Sequence, residues 1–193
     1  MLDELIATDG VREVAIRRSR VVVMALHGGV EHATYSLAEA IADASGASLY
    51  AVVQPDDFFW HVPSTQFDPD KSPALRDIVS HADVAISLHG FGRPGFEDAV
   101  LLGGSHRGLA SAIGDVMRDA DLRAIDDVEA IPAGLRGLHP ANPVNLPRGG
   151  GVQIEMSAAV RRRPPSDRIV KAVSAVIGAI PYGTASWPTL ATG

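Results

Sequence analysis

The sequence predicts an α/β three-layer sandwich, a mixed or mostly parallel central sheet with helices on both faces. Three observations lead there. Short apolar runs at 20–26, 48–53 and 83–88 alternate with helix-patterned stretches, the rhythm of strands joined by crossover helices. Two of these runs, Val21 to Leu26 and Asp83 to Leu88, are apolar almost throughout, as expected of strands covered on both sides. Aromatic residues make up 5% of the chain against a hydrophobic share of 46%, so the core rests on Val, Ile, Leu and Ala.

Taken in order, residues 11–18 alternate weakly and suit a short edge strand, and 20–26 a buried central one. Gly28 and Gly29 then allow a sharp turn. Thr34 to Ala44 reads as a helix with Leu37, Ala38, Ile41 and Ala42 on one face, ended by Ser45-Gly46. A strand at 48–53 closes at Pro55. Residues 56–72 form a long loop with Phe58, Phe59, Trp60, His61 and Phe67, long enough to suggest that it lines a site. A short helix follows at Pro73–His81, then the second central strand at 83–88 and a loop at 90–97. Residues 98–102 form a short strand. Ser105 is expected to cap a helix reaching about Ala120, with Leu109, Ile113, Val116 and Met117 inward. Leu122–Ile125 suits a strand, and 131–150, rich in Gly, Pro and Asn, a loop. From Gly151 to Met156 the pattern alternates, Val152, Ile154 and Met156 facing one way, Gln153 and Glu155 the other. Arg168–Ile180 is the last helix expected.

A chain of 193 residues suits one α/β domain over 1–193, with 182–193 as a frayed tail. The net charge of -6 argues against nucleic acid as a partner, which requires concentrated positive charge. No apolar stretch is long enough for a membrane span, and Met1-Leu2-Asp3-Glu4-Leu5 lacks the basic start of a secretory signal, so a cytoplasmic protein is expected, with a phage-encoded or lysis-released one equally compatible. The oligomeric state is not legible. With no cysteine in the chain, disulfides are excluded and any metal must sit on His and carboxylates, which favours a catalytic over a structural zinc.

His27 and His89 each end one of the two central strand runs, and each is followed by Gly. Ligands of open α/β sheets bind beyond the carboxyl ends of the strands, where both imidazoles fall if the strands are parallel. Glu31, four residues past His27, starts the next helix and could turn back into the same crevice, giving three protein ligands for a divalent ion. The plainer reading is two strand-end histidines with ordinary partners and a solvated glutamate. Glu155 is the candidate acid/base, because a carboxylate on an apolar strand has to be paired, hydrated or functional; its plainer reading is a salt bridge to an arginine. Arg93 and Arg148 lie in loops expected to overhang the site, where an arginine could clamp a substrate carboxylate or support an oxyanion; the plainer reading of either one alone is surface charge. Asn142, Asn145 and His61 are candidate substrate-binding groups, with turn-holding the alternative for the asparagines and a core or surface role the plainer reading of His61. Arg161-Arg162-Arg163 reads as a solvated edge. His27-Gly28-Gly29 is not an esterase oxyanion loop, since no Gly-x-Ser-x-Gly elbow follows, and Arg148-Gly149-Gly150-Gly151 lacks the ending of a phosphate loop.

These pieces, in this order, resemble the poly-gamma-glutamate hydrolase family, a phage and bacterial group related to zinc carboxypeptidases. The resemblance runs from about His27 to Ser157 and is carried by His27-Gly28-Gly29-Val30-Glu31, His61 with Ser64 to Asp68, Ser87-Leu88-His89-Gly90, Leu101-Leu102-Gly103-Gly104, Asn142-Pro143-Val144-Asn145 and Gly151 to Ser157. It implies Zn2+ held by His27, Glu31 and His89, with Glu155 as acid/base residue, and hydrolysis of gamma-linked amides of poly-gamma-glutamate. One residue fewer separates His27 from Glu31 than in the pattern resembled, which leaves His32 as the neighbouring alternative. The expectation is a zinc-dependent amidohydrolase or peptidase acting on a peptide or gamma-glutamyl substrate. A metallo-amidase or deacylase of another, for example cell-wall, peptide and a non-catalytic metal-binding module are the rivals.

Overall fold

The computed structural model describes residues 1–180; the tail expected at 182–193 lies outside the described residues. Its centre is a sheet ordered β1-β3-β2-β4-β7-β5-β6, built from β1 (Arg12–Ile16), β2 (Val21–Gly28), β3 (Ser48–Val53), β4 (Val84–Phe91), β5 (Ala99–Gly103), β6 (Arg123–Ile125) and β7 (Gly151–Ser157). β3, β2, β4 and β7 are parallel. β1 is antiparallel at one edge, and β5 is antiparallel to β7 with β6 beside it at the other. The sheet is mixed, as the sequence allowed. β2, β5 and β7 are buried along their whole lengths, and β4 at all but Gly90.

Both faces are covered. On one, α2 (Thr34–Ser45), α4 (Arg107–Asp119) and α5 (Pro165–Gly178) lay Ile41, Ile113 and Val173 onto Val23, Ile86, Leu88, Val152 and Ile154. On the other, α1 (Leu2–Ile6), α3 (Pro73–His81) and the long loop after β3 set Leu2, Leu5, Leu75, Ile78 and Phe67 against Val22, Met24, Leu26 and Ala85. α1 is not foreseen from the sequence; one helical turn is too short to show a period, and it is held by burying Leu2 and Leu5.

Local chemistry sets the boundaries. α2 stops at Gly46, whose φ of 70° closes the helix in the left-handed conformation. α3 begins where the Ser72 hydroxyl accepts from the Leu75 amide at 2.9 Å. The cap of α4 is His106, not Ser105: its Nδ1 accepts from the Leu109 amide, while the Ser105 hydroxyl takes the Gly151 amide. α5 starts at Pro165, three residues before the expected Arg168, because proline needs no amide partner in a first turn.

β2 carries one irregularity. Ala25 pairs with Ala51, and the next pair is Gly28 with Val53, so β2 advances three residues while β3 advances two. This is a bulge of one extra residue just before the strand ends.

Candidate metal centre

His89 and Glu155 are register partners on the adjacent parallel strands β4 and β7. Partners of this kind project to the same side, here the side of α1 and α3, opposite to Leu88 and Ile154. Strict alternation from Ala25 would turn His27 to the other side. The bulge reverses it: the His27 ring lies edge-on to Phe67, 5.7 Å between centroids, and its Nε2 donates to the Val62 carbonyl at 2.8 Å. Both imidazoles therefore come to one side of the sheet.

Glu31 is brought in by the turn after β2. Gly29 sits at φ 84°, and a Cβ there would meet the Gln54 carbonyl oxygen at 2.1 Å, so the chain can fold this tightly only with glycine. The Glu31 amide donates to the His27 carbonyl at 2.8 Å, and the Thr34 hydroxyl holds the Glu31 carbonyl. The carboxylate then lies with Oε1 3.0 Å from His27 Nδ1 and Oε2 3.4 Å from His89 Nδ1, while Oε2 also accepts from the Gly90 amide. The two Nδ1 atoms are 3.2 Å apart. Exposed His32 is the neighbour the turn leaves outside; its carbonyl accepts from Arg161.

These donors suit a divalent ion. Tetrahedral ligands about 2 Å from a common ion stand roughly 3.3 Å from one another; the two Nδ1 atoms match that at 3.2 Å, and the Glu31 carboxylate faces both, one oxygen 3.0 Å from His27 Nδ1 and the other 3.4 Å from His89 Nδ1. The tautomer agrees. A carbonyl oxygen only accepts, so His27 carries its proton on Nε2 and turns the Nδ1 lone pair inward, the usual fixing of a ligating imidazole from behind. His89 Nε2 is buried with no hydrogen-bond partner among the described residues.

Burial and neighbours shift the titration of every group here. Burial pulls His27 below its ordinary value despite Glu31. His89 moves the other way: burial opposes its charge, but contact with Glu31 outweighs it. Burial also resists the Glu31 charge, but three surrounding imidazoles hold its carboxyl far below the usual range. Glu155 has no such cationic cage, and burial pushes it up to about 7.

A cleft of about 720 Å³ opens over these residues, lined also by Pro63, Ser64, Thr65 and residues 133–139. His61 lines it, stacked on His27 at 4.3 Å and 3.2 Å from Glu31 Oε1. Asn142 lines it too, though its side chain is committed to Gln153 at 2.7 Å. Arg93 is exposed at the rim, beside Gly134.

Two of the residues selected from the sequence fall elsewhere. Arg148 precedes Gly149, whose amide bonds the Asp83 carbonyl just ahead of β4. That is the amino end of the strands, the far end from His89 and Glu155, so Arg148 does not overhang the centre. Asn145 spends its amide on the fold, accepting from the Ser105 amide and donating to the Gly137 and His139 carbonyls. In exchange, two residues passed over in the sequence belong here. Gln153 donates to Glu155 Oε1 at 2.9 Å. The Arg161 guanidinium lies over Gly90, so close that a Cβ there would meet it at 2.6 Å. Its neighbours Glu31 and Glu155 favour its charge against the burial that lowers its pKa. No local feature of the sequence separates Arg161 from Arg162 and Arg163; its place follows from where the chain returns after β7.

The sequence profile of the family described as poly-gamma-glutamate hydrolase matches residues 5–167. No curated protein sequence matches the chain. Among solved structures, a bacteriophage poly-gamma-glutamate hydrolase aligns with TM-score 0.77 at 23% identity, covering 91% of this chain and 92% of that one. A zinc-free apo form of YNDL aligns with TM-score 0.76 at 22% identity, covering 88% and 90%. A gene product of Agrobacterium tumefaciens aligns with TM-score 0.54 at 13% identity, covering 88% and 92%. At these identities the likeness shows a shared fold.

Proposed function

The chain belongs to the poly-gamma-glutamate hydrolase family, and from that premise we propose that it is a zinc-dependent hydrolase of gamma-glutamyl amide bonds. The observation that carries the reading is the convergence of two Nδ1 atoms, 3.2 Å apart, with a carboxylate whose oxygens lie 3.0 Å from one and 3.4 Å from the other, and with Glu155 on the strand beside His89. His27, Glu31 and His89 would hold the ion, which would polarise the scissile carbonyl and make a neighbouring water more acidic. Glu155, with its carboxyl pushed up to about 7, is suited to accept the proton of the attacking water and return it to the departing nitrogen. Val62 keeps the His27 ring turned with its lone pair inward. His61 steadies Glu31 and borders the bound substrate. Arg161, and Arg93 at the rim, are placed for the carboxylate that a gamma-glutamyl unit carries next to its scissile bond.

One observation favours a second reading, a metallo-amidase or deacylase of an uncharged peptide. Arg136 is the one Arg or Lys among the cleft-lining described residues, and its guanidinium is tied to Glu129 at 3.2 Å. A long polyanion would gain from a more positive wall.

Metal analysis of protein purified without added zinc, followed by assay of wild type and Glu155→Gln on gamma-glutamyl and ordinary peptide amides, tests the reading. Expected are about one zinc per chain and turnover lowered by at least about 100-fold in the variant with metal retained. Full activity in Glu155→Gln removes this residue from the reaction.

A further inference from the structure

Behind Glu155 runs a chain of buried amides that the proposed reaction does not yet use. The Val144 backbone amide donates to Asn142 Oδ1 at 3.3 Å. Asn142 Nδ2 donates to Gln153 Oε1 at 2.7 Å, and Gln153 Nε2 donates to Glu155 Oε1 at 2.9 Å. The direction is not a matter of choice. A backbone N–H can only donate, so it fixes which end of Asn142 is oxygen, and that fixes Gln153 in turn. The loop 133–142 holds the arrangement: Gly137, at φ 62°, leaves space that a Cβ would take from the Gln153 side chain at 2.6 Å. Asn142, Gln153 and Glu155 are all at most 5% exposed. Glu155 Oε2 has no hydrogen-bond partner among the described residues.

We infer that Gln153, oriented by Asn142, is a positioning residue that occupies Glu155 Oε1 and so reserves Oε2 for the proton in transit. Oε2 takes a proton from water as the water oxygen adds to the amide carbon. It gives the same proton to the nitrogen as the C–N bond breaks, and Glu155 returns to its starting state. The inference rests on the acid/base reading of Glu155.

Asn142→Asp tests it with almost no change of shape. The carboxylate keeps the Val144 amide but can no longer donate to Gln153, so the Gln153 amide turns over and presents its oxygen to Glu155 Oε1. Expected is a fall in kcat of about 10- to 100-fold, with KM within about twofold and zinc content unchanged. Gln153→Leu should fall similarly, and the double variant no further than either alone. Unchanged kcat in Asn142→Asp, or losses that multiply in the double variant, overturns the inference. NMR of the Gln153 side-chain amide supplies a readout without turnover. Its proton shifts should move in Asn142→Asp; if they stay put the orientation is wrong, whatever the substrate proves to be. Wild type inactive on every amide would instead strike at the proposed function, leaving that spectrum to decide the orientation.

Discussion

On one side of β7, Val152, Ile154 and Met156 pack into an aliphatic layer beneath α4 and α5. On the other, Gln153 and Glu155 are as thoroughly buried, yet they end in hydrogen bonds and a carboxyl group facing a cleft. Burial therefore does not separate the core from the site in this protein. The difference lies in what burial costs. An aliphatic side chain gains by leaving water, whereas a carboxylate loses several kcal/mol unless something replaces its hydration. For Glu155 that replacement is one hydrogen bond and the nearby imidazoles, and its raised pKa measures the shortfall.

Substitutions one residue apart should pull these two sides in opposite directions. The largest effect expected is on Glu155→Gln, which should cost about 10²- to 10⁴-fold in kcat while zinc content, measured by atomic absorption, stays at wild-type level. Next, Ile154→Ala on the dry side should lower stability by about 2–5 kcal/mol in denaturant unfolding, with kcat of the folded fraction unchanged; a matching loss of kcat would mean that the two sides are coupled through the strand.

The third expectation concerns metal-free protein and has a definite sign. Glu155 titrates near 7 in the fold against an ordinary 4.5. Between those values the folded chain keeps a proton that the unfolded chain has released, so stability falls as pH rises through the window. Glu155→Gln removes that slope. The variant should be more stable than wild type by on the order of 3 kcal/mol at pH 8, with the gap closing below about pH 4.5. A gap independent of pH would show that Glu155 is not held protonated by burial. The smallest effect expected is on Arg161→Ala: KM for a gamma-glutamyl substrate should rise about tenfold, a loss of roughly 1.4 kcal/mol, with a smaller change for an amide lacking the carboxylate. Equal changes for both would make Arg161 a support for Glu31 rather than a reader of substrate.

Much of this was legible in the chain because it depends on local pattern. The strand runs ending in His27 and His89 were readable, as were the bounds of α3 and the two-residue period that separates Ile154 from Glu155. The failures came where position depends on where a loop returns. Nothing in 131–150 shows that 133–139 reaches the cleft while Arg148 goes back to the amino ends of the strands. Asn142 and Asn145, three residues apart, divide between the site and the scaffold for the same reason. Arg161 was read as part of a charge run because composition cannot show that one guanidinium of three folds over Gly90.

The bulge in β2 has a genetic consequence. Losing the Leu26 codon would set Ala25, His27 and Gly28 in regular register against Ala51, Val52 and Val53, with the first imidazole still on the side of the cleft. The loss would fall on one leucine of the aliphatic layer and not on the donors. A descendant of this fold without the extra residue could thus keep its chemistry, and its alignment gap would stand directly before the first histidine.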